Sequence, residues 1–310
     1  MNTIDLESIL GGDDNGDYRF GYVALIGRPN VGKSTLLNQL LGQKVSIVTH
    51  KPQTTRQRVA GIKTTDEGQV VYLDTPGIHK STGRALNKYM NRVALATFRD
   101  VEAVLFLVEA GRWNRQDRKI AELLSALEVP VFLVINKVDM IEHKQELLTF
   151  VTEVSSEGEW DQVFMISALK GDGVADIEAK LMDVLPFSRP FYDGDQITDR
   201  SERFLAAELL REALTLRLHQ ELPYALTVEI EQFKREGGMV RIGAVIWVER
   251  DSQKQIVIGK GGQVLKQVGK QAREAMEALF EQKVFLQTFV KVSKDWSRSE
   301  RAMERMGFDE

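Results

Sequence analysis

The octapeptide Gly27–Ser34, GRPNVGKS, constrains this chain more than any other stretch. It fits G-x-x-x-x-G-K-[ST], a loop whose backbone N–H groups cradle phosphates. Gly27 and Gly32 let the backbone turn so that several N–H groups point at one anion. Arg28, Pro29, Asn30 and Val31 fill the loop between them. Lys33 can reach the β- and γ-phosphates, and Ser34 can offer its hydroxyl to Mg²⁺. The apolar run Tyr22–Ile26 before the loop suits a buried strand, and Thr35–Leu41 after it is spaced for a helix. A helix opening at this point adds its positive dipole end to the phosphate site. The loop therefore implies a bound nucleotide without saying which one.

At 310 residues the chain is long enough for two domains with their own cores. It has 43% hydrophobic and 28% charged residues, as a soluble protein does, and no apolar run reaches the ~20 residues of a membrane span. Cysteine is absent, which excludes disulfides and thiolate metal sites and fits a reducing, cytoplasmic setting. The N-terminus lacks the basic, apolar and small-residue succession of a signal peptide. His50, His79, His143 and His219 are too scattered in sequence to suggest a histidine metal site.

Residues Met1–Asp17 are polar and acidic and are expected to form a flexible tail. From 18 to 185, short apolar runs (Tyr22–Ile26, Gln69–Leu73, Glu102–Val108, Val131–Ile135, Val163–Ile166) alternate with helical stretches, and a further strand is expected at Val59–Thr64. Continuous rather than alternating apolar runs are the mark of parallel strands covered on both faces. The expected fold class is α/β, a P-loop domain with a mostly parallel sheet and ligands at the carboxyl ends of its strands. Residues 186–200, with two prolines and a glycine, read as a linker, and 201–310 as a smaller α+β domain.

Two further motifs end predicted strands. Asp74-Thr75-Pro76-Gly77 follows Gln69–Leu73; its Asp can hold Mg²⁺, usually through water, and its Gly N–H can sense a γ-phosphate. Asn136-Lys137-Val138-Asp139 follows Val131–Ile135. The Asp139 carboxylate only accepts hydrogen bonds, which suits the N1–H and N2–H₂ donors of guanine and not the edge of adenine. Asn136 can brace the loop, the Lys137 stem can lie along the base, and Ser167-Ala168-Leu169 can give a backbone N–H to guanine O6. In the stretch Val45–Val59, Thr55 is the preferred residue to close over Mg²⁺ when a γ-phosphate is present, with Thr54 its competitor.

Taken in order, GRPNVGKS, QTTR, DTPG, NKVD and SAL resemble the five guanine-nucleotide motifs of a translation-factor-type GTPase, and their wording resembles the Era-type, ribosome-associated GTPases of bacteria over about residues 20–307. The resemblance implies GTP hydrolysis to GDP with Mg²⁺ and slow intrinsic turnover. Lys33, Asn30 and Thr55 are the candidate catalytic residues. Where a Ras-like protein has a water-orienting Gln after Asp-x-x-Gly, this chain has Ile78. By resemblance, Asn30 would instead help bind K⁺.

The second domain carries Gly259-Lys260-Gly261-Gly262 after Ile258 and before a predicted helix. A G-x-x-G loop in the order helix–strand–strand–helix–loop–helix–strand resembles a type II KH domain, which clamps the backbone of about four nucleotides. Lys254–Arg298 contains nine basic and four acidic side chains, with Lys260, Lys266 and Lys270 nearest the loop. Trp247 and Phe289 read either as stacking platforms for bases or as core, with the core preferred. The basic, amphipathic stretch Trp296–Phe308 suits RNA, a membrane surface or packing on its own domain.

By resemblance the partners are the 3′ end of 16S ribosomal RNA and the 30S subunit, with a weak peripheral contact to the inner membrane and a monomeric state. The competing readings are a kinase or metabolic ATPase, against which Asp139 argues, and a static RNA-binding scaffold with structural GTP. A Der-like protein would carry two GTPase modules, and this chain has one P-loop.

Overall fold

The computed structural model describes residues 17–51, 54–77, 85–97, 100–218 and 222–308. The expected tail thus lies almost wholly outside the described residues, as does Ile78.

The first unit is a six-stranded sheet in the order β2-β3-β1-β4-β5-β6, built from β1 (Arg19–Gly27), β2 (Val59–Thr64), β3 (Gly68–Asp74), β4 (Ala103–Glu109), β5 (Val131–Asn136) and β6 (Gln162–Ile166). All neighbouring pairs are parallel except β2–β3. Helices α1 (Lys33–Leu41), α2 (Ala85–Ala96), α3 (Arg115–Leu124), α4 (Lys144–Ser155) and α5 (Val174–Val184) connect and cover it. One face of the sheet packs Leu25, Leu107 and Val134 against α1 and α5, and the other packs Ile26, Phe106 and Ile135 against α3 and α4. Burial on both faces explains why the strands read as continuous apolar runs. The order reverses between β1 and β4, and the loops after β1, β3 and β5 gather at that end of the sheet, where open α/β sheets bind ligands.

Residues 186–199 run along the sheet rather than away from it. The Gln69 side chain holds the 191–192 backbone, accepting from the Phe191 and Tyr192 N–H groups at 2.9 Å each and donating to Tyr192 O at 2.9 Å. The Ile62 N–H donates to Ile197 O.

The second unit is a three-stranded sheet, β7 (Leu226–Glu236), β8 (Met239–Val248) and β9 (Lys283–Val292), antiparallel between the first two and parallel between the last two. One face packs on α6 (Glu202–Arg217) and α8 (Gln263–Phe280). The Ser201 hydroxyl accepts from Phe204 N–H and so starts α6. A short helix, α7 (Asp251–Ile258), precedes the G-x-x-G loop, so the apolar run Ile256–Ile258 is the end of a helix.

Two expectations are corrected here. Phe289 is not in the core; it is 49% exposed on the open face of the sheet, and Trp247 on the same face is half-buried with its indole N–H on Glu229. The stretch Trp296–Phe308 does not pack on its own domain alone. Trp296, Met303 and Phe308 form a cluster with Leu86, Tyr89 and Met90 of α2, and Trp296 is fully buried there. This cluster, with the last helix α9 (Glu300–Arg305), joins the two units. Among the described residues no helix is long and apolar enough to cross a membrane.

Candidate guanine-nucleotide site and RNA-binding loop

A cleft of about 500 Å³ lies at the carboxyl ends of β1, β3 and β5. It brings together the P-loop, Thr55, Gly77, Asn136-Lys137, Asp139 and Leu169. All five sequence motifs thus face one space.

The P-loop backbone is specialised. Gly27, Asn30 and Gly32 have φ of 153°, 66° and 106°. A Cβ on Gly27 would sit 2.4 Å from Leu107 O, which is main chain of β4 and cannot yield. The Lys33 ammonium is buried and donates to Gly27 O at 3.1 Å and Arg28 O at 3.0 Å. Burial lowers it to about 8 from its ordinary 10.5; Asp74 opposes that shift and Arg28 adds to it. Arg28 points away from the cleft: its Nε donates to the fully buried Asp117 at 2.6 Å, and its Nη2 to Arg112 O at 3.1 Å. Asp117 also completes the capping box that begins α3, so the helix start and the P-loop are pinned to one carboxylate.

Three side-chain hydroxyls converge on Asp74. Its Oδ2 accepts from Ser34 Oγ at 2.6 Å, Ser46 Oγ at 2.8 Å and Thr55 Oγ1 at 3.3 Å, and Ser34 and Thr55 lie 3.0 Å apart. Its Oδ1 is buried and has no hydrogen-bond partner among the described residues. Burial raises the carboxyl, against Lys33 and the three hydroxyls. A carboxylate with one orphaned oxygen, beside the Ser34 and Thr55 hydroxyls, suits a hard divalent cation, which takes oxygen ligands and needs the anion's charge. The Thr54 hydroxyl is directed elsewhere, donating to Lys51 O at 2.6 Å with Thr49 Oγ1 2.6 Å away. Sequence reading missed Ser46; a serine in a loop carries no local signal of where its hydroxyl ends.

Thr75 donates to Leu25 O at 3.0 Å, tying the end of β3 to β1. Gly77 then lies against the P-loop: a Cβ there would fall 2.7 Å from Pro29 N. Asn136 braces the site as expected, donating to Val31 O at 2.8 Å and accepting from Ala168 N–H at 2.9 Å. Lys137 has φ of 67° and its ammonium lies 3.4 Å from Glu109, a partner the sequence did not suggest. Asp139 and Leu169 line the base end of the cleft, both exposed. Asn30 Nδ2 donates to His50 O at 2.9 Å, so a cation at Asn30 would be met by its Oδ1.

In the second unit, Gly259, Gly261 and Gly262 have φ of 73°, 59° and 75°. A Cβ on Gly259 would meet Val264 Cγ2 at 2.4 Å, whereas Gly261 and Gly262 face open space. Lys260, Lys266 and Lys270 are exposed, at the loop and on the first turns of α8, and Ile258 ends the helix before it. The loop is therefore open on its outer side, with basic groups and a helix start beside it, as backbone phosphates require.

Comparison with known proteins agrees with this geometry. Residues 22–137 match the family model described as 50S ribosome-binding GTPase, and residues 221–297 match the KH domain model. Proteins named GTPase Era from Xylella fastidiosa and Coxiella burnetii are each 50% identical to this chain, over 94% of it and 98% of their own length. The chain belongs to the Era GTPase family. It is accordingly a GTP-hydrolysing enzyme with a KH domain. The solved structure of an Aquifex aeolicus Era variant bound to GDP·AlF4⁻ superposes with a TM-score of 0.91 at 37% identity, covering 94% of this chain and all of that one. Era in complex with MgGDPNP and nucleotides 1506–1542 of 16S ribosomal RNA gives 0.90 at 37% identity and the same coverage.

Proposed function

We propose that this chain is a GTP-driven switch that grips the 3′ end of 16S ribosomal RNA through its KH domain and assists assembly of the 30S subunit in the cytoplasm. The observation that carries this reading is the pairing, in one chain, of a nucleotide cleft at the sheet's carboxyl edge with an open GKGG loop, in the arrangement of the Era structure that holds MgGDPNP and that RNA.

In this reading Ser34, Thr55 and Asp74, the last through water, would hold Mg²⁺, which would supply positive charge to the β- and γ-phosphates. Lys33 leaves the Gly27 and Arg28 carbonyls for those phosphates, and Asp139 accepts from the guanine edge. Gly77 N–H meets the γ-phosphate. Thr55 would face the cation while the γ-phosphate is present and part from it after hydrolysis. Asn30 Oδ1 would contact K⁺, supplying positive charge in place of an arginine finger; equal hydrolysis rates in K⁺ and Na⁺ would remove this part.

The test is RNA crosslinking of the GTP-loaded protein in cell extract, followed by sequencing. Reads should pile up at the 3′ end of 16S RNA and disappear in a Lys260→Asp, Gly261→Asp double variant. Diffuse capture, or capture indifferent to the loop, would refute the RNA assignment and leave the GTPase.

A further inference from the structure

The stretch that carries Thr55 is held from its own domain by Asn38, Ser34 and Asp74 and from the other domain by α6 and the start of β7. Glu212 of α6 accepts from Val48 N–H at 2.9 Å and pairs with Lys44. Its neighbour Arg211 donates to Thr54 O, the carbonyl immediately before Thr55, while Glu208 steadies the same guanidinium at 2.7 Å. Lys51 reaches across to Thr215 O at 2.7 Å and to Leu218 O at the end of α6. On the far side of Thr55, Arg56 is buried with its Nη atoms on Leu226 O and Pro223 O at 2.7 and 2.8 Å. Arg211 and Glu212 are themselves buried, 3% and 6% exposed. Thr55 is thus fixed from both sides by contacts to α6 and the start of β7.

We infer that Arg211 and Glu212 are positioning residues for GTP hydrolysis: through Lys44, Val48 and Thr54 they hold the chain on either side so that Thr55 meets Ser34 and Asp74. The physical reason is the shared contact. If the Thr55 backbone moves away from the Asp74 cluster, the Thr54 carbonyl either parts from Arg211 or carries α6 with it. A guanidinium left buried without its carbonyl is costly, so the two motions are tied. This rests on the assignment of Thr55 as the Mg²⁺-facing threonine.

The experiment compares the full chain with Arg211→Met, Arg211→Lys and Lys51→Met. Lys51 is only half-buried, so its variant tests the clamp with little risk to folding. Steady-state GTP hydrolysis without RNA, and Mg²⁺-dependent affinities for GDP and for a non-hydrolysable GTP analogue, are measured by turnover assay and calorimetry. Arg211→Met and Lys51→Met should lower kcat and analogue affinity about tenfold or more while GDP affinity stays within about twofold, because GDP makes no demand on Thr55. Arg211→Lys, which keeps a charged donor, should recover most of the loss. Equal losses for GDP and analogue would mean general damage and overturn the assignment, as would unchanged kcat in both Met variants. Since no RNA is present, a failure of the RNA reading would leave this result intact, and the reverse holds too.

Discussion

Gly32 and Asn136 occupy each other's space: a Cβ on Gly32 would lie 2.2 Å from Asn136 Nδ2. The amide needs that position to reach Val31 O on one side and Ala168 N–H on the other, so it joins the phosphate loop to the base loop. Gly32→Ala would force the amide out and strain a backbone at φ 106°. The expected result is loss of nucleotide affinity by about two orders of magnitude or more. Asn136→Ala alone should cost about 1.5–3 kcal/mol of binding. Because the two changes share one clash, the double variant should lose less than the sum of the singles, which a calorimetric double-mutant cycle measures.

Base selectivity rests on Asp139. Asp139→Asn replaces two acceptors with an amide that donates on one side, which suits the O2 of xanthine. GTP affinity should fall by about 1–3 kcal/mol or more and XTP affinity should rise. Competition between the two nucleotides reads this directly; unchanged GTP preference would sink the guanine assignment.

Lys33 gives the site a pH dependence. Its folded-state value, about 8, is below the ordinary 10.5, so the empty folded protein holds this proton less firmly than the unfolded chain. Between those two values the unfolded state binds more protons, and this group's contribution to stability rises with pH. Nucleotide phosphates act oppositely, favouring the charged ammonium. Nucleotide binding at pH 8.5–9 should therefore take up a proton, and affinity should fall by up to about tenfold per pH unit above 8. Calorimetry in buffers of different ionisation heat detects the uptake.

Trp296 is the centre of the cluster joining the domains, with its ring stacked 5.9 Å from Phe308 and its indole N–H on Ala225 O at 3.0 Å. Trp296→Ala should destabilise by about 3–5 kcal/mol. Urea unfolding should then show the two domains separating into distinct transitions, monitored by nucleotide fluorescence for one and far-UV signal for both.

The parts legible in the sequence were those written in contiguous residues. The parallel sheet showed as unbroken apolar runs because α1, α5, α3 and α4 cover both faces. The nucleotide motifs showed because each is a loop directly after a strand. Side chains recruited from far along the chain were not visible: Ser46 at Asp74, Asp117 on Arg28, and Arg211 and Glu212 behind Thr55. The exposure of Phe289 is hidden in the sequence for a different reason. β9 has hydrophobic residues on both faces, Val284 and Val290 inward and Phe285 and Phe289 outward, so alternation alone could not choose the buried side. Trp296–Phe308 is amphipathic in sequence, but the surface that covers its apolar side is α2, about two hundred residues earlier.

The most direct test of the whole account is the affinity of the full-length protein for a fluorescent oligonucleotide of the 16S 3′ end, measured with Mg²⁺ and either a GTP analogue or GDP. A scrambled oligonucleotide and the Lys260→Asp, Gly261→Asp variant, checked for folding by its thermal midpoint, serve as controls. The account predicts sequence-selective binding that differs between the two nucleotides, weakens with salt as lysine–phosphate contacts do, and is lost in the loop variant. Equal binding of the scrambled strand, or equal affinity in both nucleotide states, would contradict it.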